Sequence, residues 1–366
     1  MSNFSIEELV IPASPNAPGW PSWEAVAALR NIVEAEGFGT DDLQYSADEL
    51  LPGWLNTTYD PKRMFVARVN STVVARATYE TLLEPNDNHA WLGVQVLPAW
   101  RRRGIGAALA DRVEALAATE NRRELIAYTV SAEATGERLA APTGFGSVPR
   151  DNPEVRFLLA HGYRLEQVER GSRLALPADD SVIRRFRADA AARAGRDYTV
   201  HCWSGETPPR WRDDLALLFT RMSTDAPTAG LQEPEDVWTA ERLVSAEASR
   251  AASPRRMLTA AALFEPSGHL VAFTQLSVPA ESNRSVGQED TLVLREHRGH
   301  RLGMLLKSAN LEYLAQASPG HPSVTTFNAE ENRHMLDVNE ALGFVPMGYE
   351  GAWKRVETIA GLAEKH

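Results

Sequence analysis

The sequence predicts an α/β chain built from two similar units in tandem, and three observations lead there. At 366 residues, with about 150 residues to a typical domain, the chain is long enough for two units that each bury a core. β-rich and helix-periodic runs recur in the same order in both halves. A turn rich in arginine and glycine, set between a strand and a helix, occurs twice, 197 positions apart: aligning Arg101 with Arg298 brings Val96 over Val293 and Gly106 over Gly303. Repetition of a whole strand-turn-helix order is a stronger signal than either turn alone.

The first unit opens with a short strand near Leu9 to Ile11 and a Pro- and Gly-containing turn. A helix is expected from Ser22 to Glu36, with Ser22 as its N-cap, Val26, Leu29 and Val33 on one face, and Gly37 as its stop. A second short helix lies around Ala47 to Leu51. Met64–Val69 and Val73–Tyr79, separated by Asn70-Ser71-Thr72, read as a hairpin. Trp91 to Leu97 is the next strand, followed by the turn, a helix from Gly104 to Thr119 and a strand at Leu125 to Val130. Ser131 to Asn152 reads as a long loop or a short helix flanked by loops. A helix from Pro153 to His161, started by Pro and stopped by Gly162, and a closing strand at Leu174 to Pro177 complete this unit, taken as residues 1–177.

The second unit, residues 178–366, starts with a linking helix over Asp179 to Ala194, whose charges form a solvated face. A strand at Tyr198 to Cys202, helices at Pro209–Arg221 and Pro234–Ala248, and a hairpin of Met257–Phe264 with Leu270–Val278 follow. Then come a strand at Thr291–Leu294, the second turn, a helix bearing Leu302, Leu305, Leu306, Ala309 and Tyr313, a strand at Val324–Asn328, and a helix opened by Asn332 and ended by Gly343-Phe344.

The composition excludes several function classes. A hydrophobic fraction of 43% and a charged fraction of 24% are those of a globular protein. The net charge of −11 argues against a nucleic-acid or anionic-membrane surface, which needs a basic face. The arginine cluster is therefore a local feature. One cysteine, Cys202, leaves no disulfide framework or Cys-rich zinc site and suits a reducing cytoplasm. No apolar run approaches membrane-spanning length, and the N-terminus lacks the pattern of a secretory signal. A cytoplasmic protein, monomer or homodimer, is expected.

The turn has the chemistry of a phosphate site. Free N–H groups and the positive end of the helix dipole converge at the start of the helix, where Arg101, Arg102 and Arg103 gather. Gly104 and Gly106 let a pyrophosphate approach the main chain without a Cβ in the way. A Walker loop would end in Gly-Lys-Ser/Thr and a dinucleotide fingerprint would read Gly-x-Gly-x-x-Gly; neither is present. What stands here is Arg-x-x-Gly-x-Gly after Val-x-Val-x-Pro, which resembles the pyrophosphate-binding motif of the GNAT N-acetyltransferase superfamily. Arg298-Gly-His-Arg-Leu-Gly, followed by Asn328-Ala-Glu-x-Asn332, resembles bacterial tandem-GNAT proteins in particular, and the resemblance covers nearly the whole chain.

The resemblance implies two GNAT-like domains, each a mixed, mostly antiparallel sheet that splays at its central strands to admit the pantetheine arm of acetyl-CoA. It assigns the pantetheine amides to the backbone at Val94 and Val96, or Thr291 and Val293. It assigns the pyrophosphate to Arg101, Arg102, Arg103, Gly104, Ile105, Gly106 and Ala107, or to Arg298, Gly299, His300, Arg301, Leu302 and Gly303, with Asn328 and Asn332 beside the second cleft. An amine would attack the thioester directly in a ternary complex, with acyl-CoA as co-substrate and no metal. Both copies depart from the pattern. The tyrosine that many members carry four residues before the closing glycine is replaced by Leu158 and Asn339, and Arg301 stands where the first copy has Gly104.

The strand before each turn is where a general base would face the thioester. Glu289 and Asp290 stand there in the second copy and His89 in the first; with its better-kept final motif, the second unit is the expected catalyst and Glu289 its base. Asp225, in the loop after a helix that often borders the acceptor in this superfamily, is the candidate to hold a cationic amine. His297 and His300 flank the phosphates in this reading, since no third metal ligand stands at a supporting spacing. Transfer of acetyl to a small primary amine is the expected function. A CoA-binding regulatory or scaffold role with one or both units silent, and acyl-CoA hydrolysis or decarboxylation on the same fold, are the alternatives.

Overall fold

The computed structural model describes residues 4–84 and 87–357. The first half contains β1 (Ser5–Glu8), α1 (Trp20–Phe38), α2 (Ala47–Leu55), β2 (Lys62–Val69), β3 (Thr72–Glu80), β4 (His89–Val96), α3 (Ile105–Thr119) and β5 (Glu124–Ser131), then the small hairpin of β6 (Arg138–Ala140) and β7 (Ser147–Pro149), α4 (Pro153–Ala160) and β8 (Arg164–Ala175). The second half contains α5 (Asp180–Ala194), β9 (Tyr198–Ser204), α6 (Arg212–Asp225), α7 (Ala240–Ala251), β10 (Arg256–Phe264), β11 (His269–Val278), β12 (Val286–Val293), α8 (Leu302–Ala317), β13 (Ser323–Ala329), α9 (Arg333–Leu342) and β14 (Val345–Val356).

Each half builds an antiparallel meander, and a helix packs on each face. In β2, Met64 and Val66 turn toward Trp23, Val26 and Leu29 of α1. Phe65 and Ala67 turn the other way, toward Ile105, Leu109 and Val113 of α3, as a period-two strand buried on both faces requires. α1 is longer than its sequence signals suggest: Gly19 precedes it and Gly39, in the left-handed region, ends it. Gly37 is inside the helix, because a Cβ there would stand 2.3 Å from Val130 Cγ1 of β5; it serves close packing and not termination. Ser46 and Glu49 form a capping box that starts α2. The first strand lies at Ser5–Glu8 instead of Leu9–Ile11, and the expected long loop over 131–152 folds part of its length into β6 and β7.

All other strands form one continuous sheet of 12, in the order β1-β2-β3-β4-β5-β14-β8-β13-β12-β11-β10-β9. The last strands are exchanged. β14, at the end of the second half, pairs with β5 of the first, and β8, from the first half, pairs with β13 of the second. Residues 164–175 thus close the other unit's sheet, not their own, and a division at 177 separates the chain but not the structural units. Ion pairs across the junction add to this sheet: buried Glu49 holds Arg255 at 3.3 Å and Arg284 at 2.6 Å, and Arg173 reaches Asp42 at 2.6 Å.

The two halves also splay. β4 and β5 run parallel and pair only from His89↔Glu124 to Trp91↔Ile126. β12 and β13 pair only at Val286↔Val324 and Gly287↔Thr325. Beyond those points each sheet opens.

Candidate active site

In the first unit the opening is a cleft of about 1120 Å³, with Val94, Gln95 and Val96 on one wall and Tyr128, Thr129 and Val130 on the other. One end is the turn. A short 3₁₀ segment, Pro98–Trp100, leads from β4 to α3, and Arg102 (φ 62°) and Gly104 (φ 82°) both take the left-handed conformation that folds the chain back onto the helix axis. The first-turn N–H groups of Ile105, Gly106 and Ala107 have no intrahelical acceptor and open toward the cleft, which Gly104, Gly106 and Ala107 line together with Arg101 and Arg102. The side chain of Ile105 itself is buried in the core. Val94 and Val96 pack on the α3 face, leaving their main chain to the slot.

The arginines divide their roles. Arg101 donates to the Val96 carbonyl at 3.0 Å and pairs with Glu36 of α1, so it fastens the turn. Arg102 is exposed and lines the cleft, with no hydrogen bond or ion pair among the described residues. Arg103 turns away, donating to the Ala99 carbonyl at 3.0 Å and lying 4.7 Å over the Trp100 ring; it is not in the cleft.

The opposite face of the slot, under α1, is polar. Gln95 accepts from Arg76 at 2.6 Å and donates to Glu34 at 2.8 Å. Burial, and Arg30 nearby, push the Arg76 guanidinium down to about 10. Asp60, Glu80 and Glu350 also line the cleft. The Tyr128 hydroxyl donates to Glu233 at 2.9 Å, and Trp91 Nε1 donates to the same oxygen at 3.2 Å; burial and Glu233 raise the Tyr128 hydroxyl well above its ordinary value. Glu233 and Glu350 come from the second half of the chain, as does Arg242, which holds Asp60 at 2.9 Å. Asn152, at the start of α4, lines the cleft and donates to the Ala132 carbonyl at 2.7 Å. It occupies in the first unit the place of Asn332, the N-cap of α9.

The second turn keeps the same backbone with its residues permuted. Gly299 (φ 85°) stands for Arg102 and Arg301 (φ 58°) for Gly104, so the substitution at 301 leaves the path unchanged. Arg298 repeats Arg101, donating to the Val293 carbonyl at 3.2 Å and pairing with Asp225 at 2.9 Å. Asp225 is thus already paired: its buried carboxylate also takes Arg295 at 3.1 Å. His297 shares a hydrogen bond with the Tyr198 hydroxyl at 2.9 Å and His300 packs 5.1 Å from the Tyr198 ring. Leu302 and Gly303 are buried at the start of α8, over which α5 packs, and Arg193 of α5 donates to the Gly299 carbonyl at 3.3 Å. Asn328 accepts from Asn339 at 2.7 Å, and Asn332 caps Met335.

The proposed bases lie in different settings. His89 is in the still-paired part of β4, between Asp87 at 2.7 Å and Glu124 at 3.3 Å, and does not line the cleft. It has no structural kinship with Glu289: by the 197-residue repeat, His89 matches Val286, as their equal places in the parallel pairs confirm. Glu289 and Asp290 form a β-bulge, since β12 spends three steps from Gln288 to Thr291 while β11 spends two from Leu276 to Thr274. Their carboxyls are raised by crowding protein, and Glu289 further by Asp290. Outside the cleft, Asp111, Glu114 and His161 bring ligand-type atoms together, but Arg355 already pairs with Glu114 at 2.9 Å.

Sequence reasoning missed Gln95, Arg76, Glu34, Tyr128, Asn152 and Glu350. The strand that carries Glu350 had no expected element at all, although Gly162-Tyr163 and Gly343-Phe344 begin strands whose sixth residues from there, Glu169 and Glu350, keep the same interval of 181.

A splayed sheet with an arginine-bearing turn at a helix N-terminus is the arrangement of the GNAT fold. Residues 26–145 match the family model of the Acetyltransferase (GNAT) family, and the chain as a whole has a tandem GNAT fold. A tandem GNAT protein from the clavulanic acid biosynthesis pathway is 24% identical, with 98% of this chain and 100% of that one covered and a TM-score of 0.73. A GCN5-related N-acetyltransferase from Sphaerobacter thermophilus is 16% identical over 96% and 95% of the two chains, with a TM-score of 0.59. A glucosamine N-acetyltransferase region of a fungal multi-domain β-N-acetylglucosaminidase is 16% identical over 97% of this chain and 38% of that one, with a TM-score of 0.57. No curated protein sequence matches the chain. No helix among the described residues is long and apolar enough to cross a membrane.

Proposed function

We propose that the chain is an acyl-CoA-dependent N-acyltransferase whose chemistry runs in the first unit, carrying acetyl from acetyl-CoA to a primary amine of a small cationic molecule. The observation that supports this reading is one continuous cleft with Arg101, Arg102, Arg156 and the α3 N-terminus at its turn, where Glu36 and Glu154 also stand, and with the carboxylates Glu34, Asp60, Glu80 and Glu350 lining it together with Lys62 and Arg76. A cleft of that kind suits an anionic cofactor at the turn and an ammonium beside the carboxylates.

In this reading the pyrophosphate rests on the N–H groups of Ile105, Gly106 and Ala107 and on Arg102, and pantetheine adds itself as a strand in the slot beside β4. The unpaired edge of β4 past Trp91 supplies main-chain donors to the thioester oxygen as it becomes an oxyanion. The amine, held over the α1 face, attacks the carbonyl in a ternary complex, and proximity accounts for much of the acceleration. The second unit, whose matching face is apolar, contributes side chains to this cleft and runs no chemistry of its own.

The test is release of free thiol from acetyl-CoA in the presence and absence of spermidine, glucosamine and a short peptide with a free amino terminus, together with an isothermal titration of acetyl-CoA. Thiol released only with an amine, and one site per chain, are expected. Release without any amine would identify a hydrolase, and tight binding without release a regulatory protein.

A further inference from the structure

The repeat brings two glutamates face to face. Glu169 of β8 and Glu350 of β14 occupy equivalent places in the two halves, and the exchanged strands pair them directly opposite each other in the antiparallel register. Of the two, Glu350 lines the first unit's cleft.

Its position relative to the slot is fixed by the sheet. Glu350 pairs with Val130 of β5, which forms the slot's wall, so its backbone stands one strand spacing, about 4.8 Å, beyond that wall. It shares the α1 face with Tyr128 and Val130, the face on which the acceptor is placed above. The groups around the pair are Glu34 and Arg30 from α1, Tyr128 from β5, Glu233 from the segment before α7, and Glu331 after β13. Acidic groups outnumber the single arginine, which raises both carboxyls in concert with burial, Glu169 to about 7.

We propose that Glu350, supplied to the first unit by the last strand of the second, is the general base that takes the proton from the acceptor's ammonium, with Glu169 as its positioning partner. This rests on the transferase reading above. The ammonium gives one proton to the Glu350 carboxylate, and the freed lone pair forms the N–C bond at the thioester carbonyl. Collapse of the tetrahedral intermediate breaks the C–S bond, and the thiolate leaves with its electron pair. The nitrogen sheds a second proton, so that of the two, one ends on the thiol of coenzyme A and the other in solvent.

The experiment measures the pH dependence of acetyl transfer to whichever of spermidine, glucosamine or the peptide the full-length protein accepts, for the parent, Glu350→Gln and Glu169→Gln, with acetyl-CoA titration on each. Glu350→Gln is expected to lose at least about 100-fold in kcat, with the affinity for acetyl-CoA retained. In Glu169→Gln the acid limb of the pH profile is expected to move to lower pH, because the neighbouring negative charge is gone. A Glu350→Gln protein that keeps its kcat and pH profile would overturn the proposal while leaving the transferase reading intact. If that variant does not fold, an unmoved acid limb in Glu169→Gln overturns it instead. Failure of the parent protein to acetylate any of the three amines overturns the transferase reading itself, and the base with it.

Discussion

At one register position the two halves of the molecule make opposite choices. Arg76 of β3 stands across from Gln95 of β4, and the repeat puts Phe273 of β11 across from Leu292 of β12. The first pair is a hydrogen-bonded wall of an open cleft. The second is packed shut: Phe273 lies 5.0 Å from Phe219 of α6, which stacks 4.8 Å from Trp238. The turn, the left-handed residues and the arginine tie to the preceding helix are common to both. The same turn backbone therefore stands in both halves, while the adjoining face is open and polar in one and filled with aromatic core in the other. A repeated backbone turn thus does not by itself set the chemistry of the surface beside it; the side chains on the neighbouring strands do.

The comparison breaks most sharply at the turn. Gly106→Asp sets a carboxylate where the pyrophosphate is proposed to rest; like charges about 4 Å apart at the effective dielectric of a protein surface repel by about 4 kcal/mol, so an approximately 1000-fold loss of acetyl-CoA affinity is expected by calorimetry. Gly303→Asp in the second unit should leave that affinity where it was. Equal losses from both would mean that both turns bind.

Making the first unit resemble the second comes next. The double variant Arg76→Phe, Gln95→Leu should keep acetyl-CoA binding and lower the transfer rate by about 100-fold through loss of acceptor positioning, measured by thiol release at saturating acetyl-CoA. A smaller effect is expected from the fastening arginines. Arg101→Ala loosens the first turn and should weaken acetyl-CoA by about 10-fold, whereas Arg298→Ala should lower the melting temperature without changing the affinity.

The smallest effect concerns pH and stability. The Glu169 carboxyl, ordinarily near 4.5, is held at about 7 in the folded protein, so between those values the folded state keeps a proton that the unfolded chain gives up. Stability from this group is present below about 4.5 and is lost as pH rises toward 7. The melting temperature should therefore fall more between pH 5 and pH 8 in the parent than in Glu169→Gln, by roughly 2–4 °C.

Much of this was legible in the residues, and the boundary of legibility has a physical cause. The hairpins, the helix after each turn, the 197-residue repeat and the two phosphate-type turns are local: period-two and period-3.6 patterns, a glycine or an arginine in a left-handed bend, and free N–H groups at a helix start all depend on neighbours in sequence. So did the expectation that the chain has a tandem GNAT architecture. Three matters lay outside that reach. Gly37 looks like a stop signal until Val130 is seen against it. Asp225 looks free until Arg295 and Arg298 are seen to hold it. The last strand, with glycines at 348 and 351 and a charged Lys354, has no clear alternation, since its residues are fitted to β5 on one side and β8 on the other. The sequence by itself determined two copies of a fold and the turn each would carry. Only the tertiary structure decided that the copies exchange their final strands, that this brings Glu350 to the first unit's cleft, and that the matching face of the second unit is filled, because the exchanged strands pair residues more than 100 positions apart and the filled face joins separate elements, which no local pattern encodes.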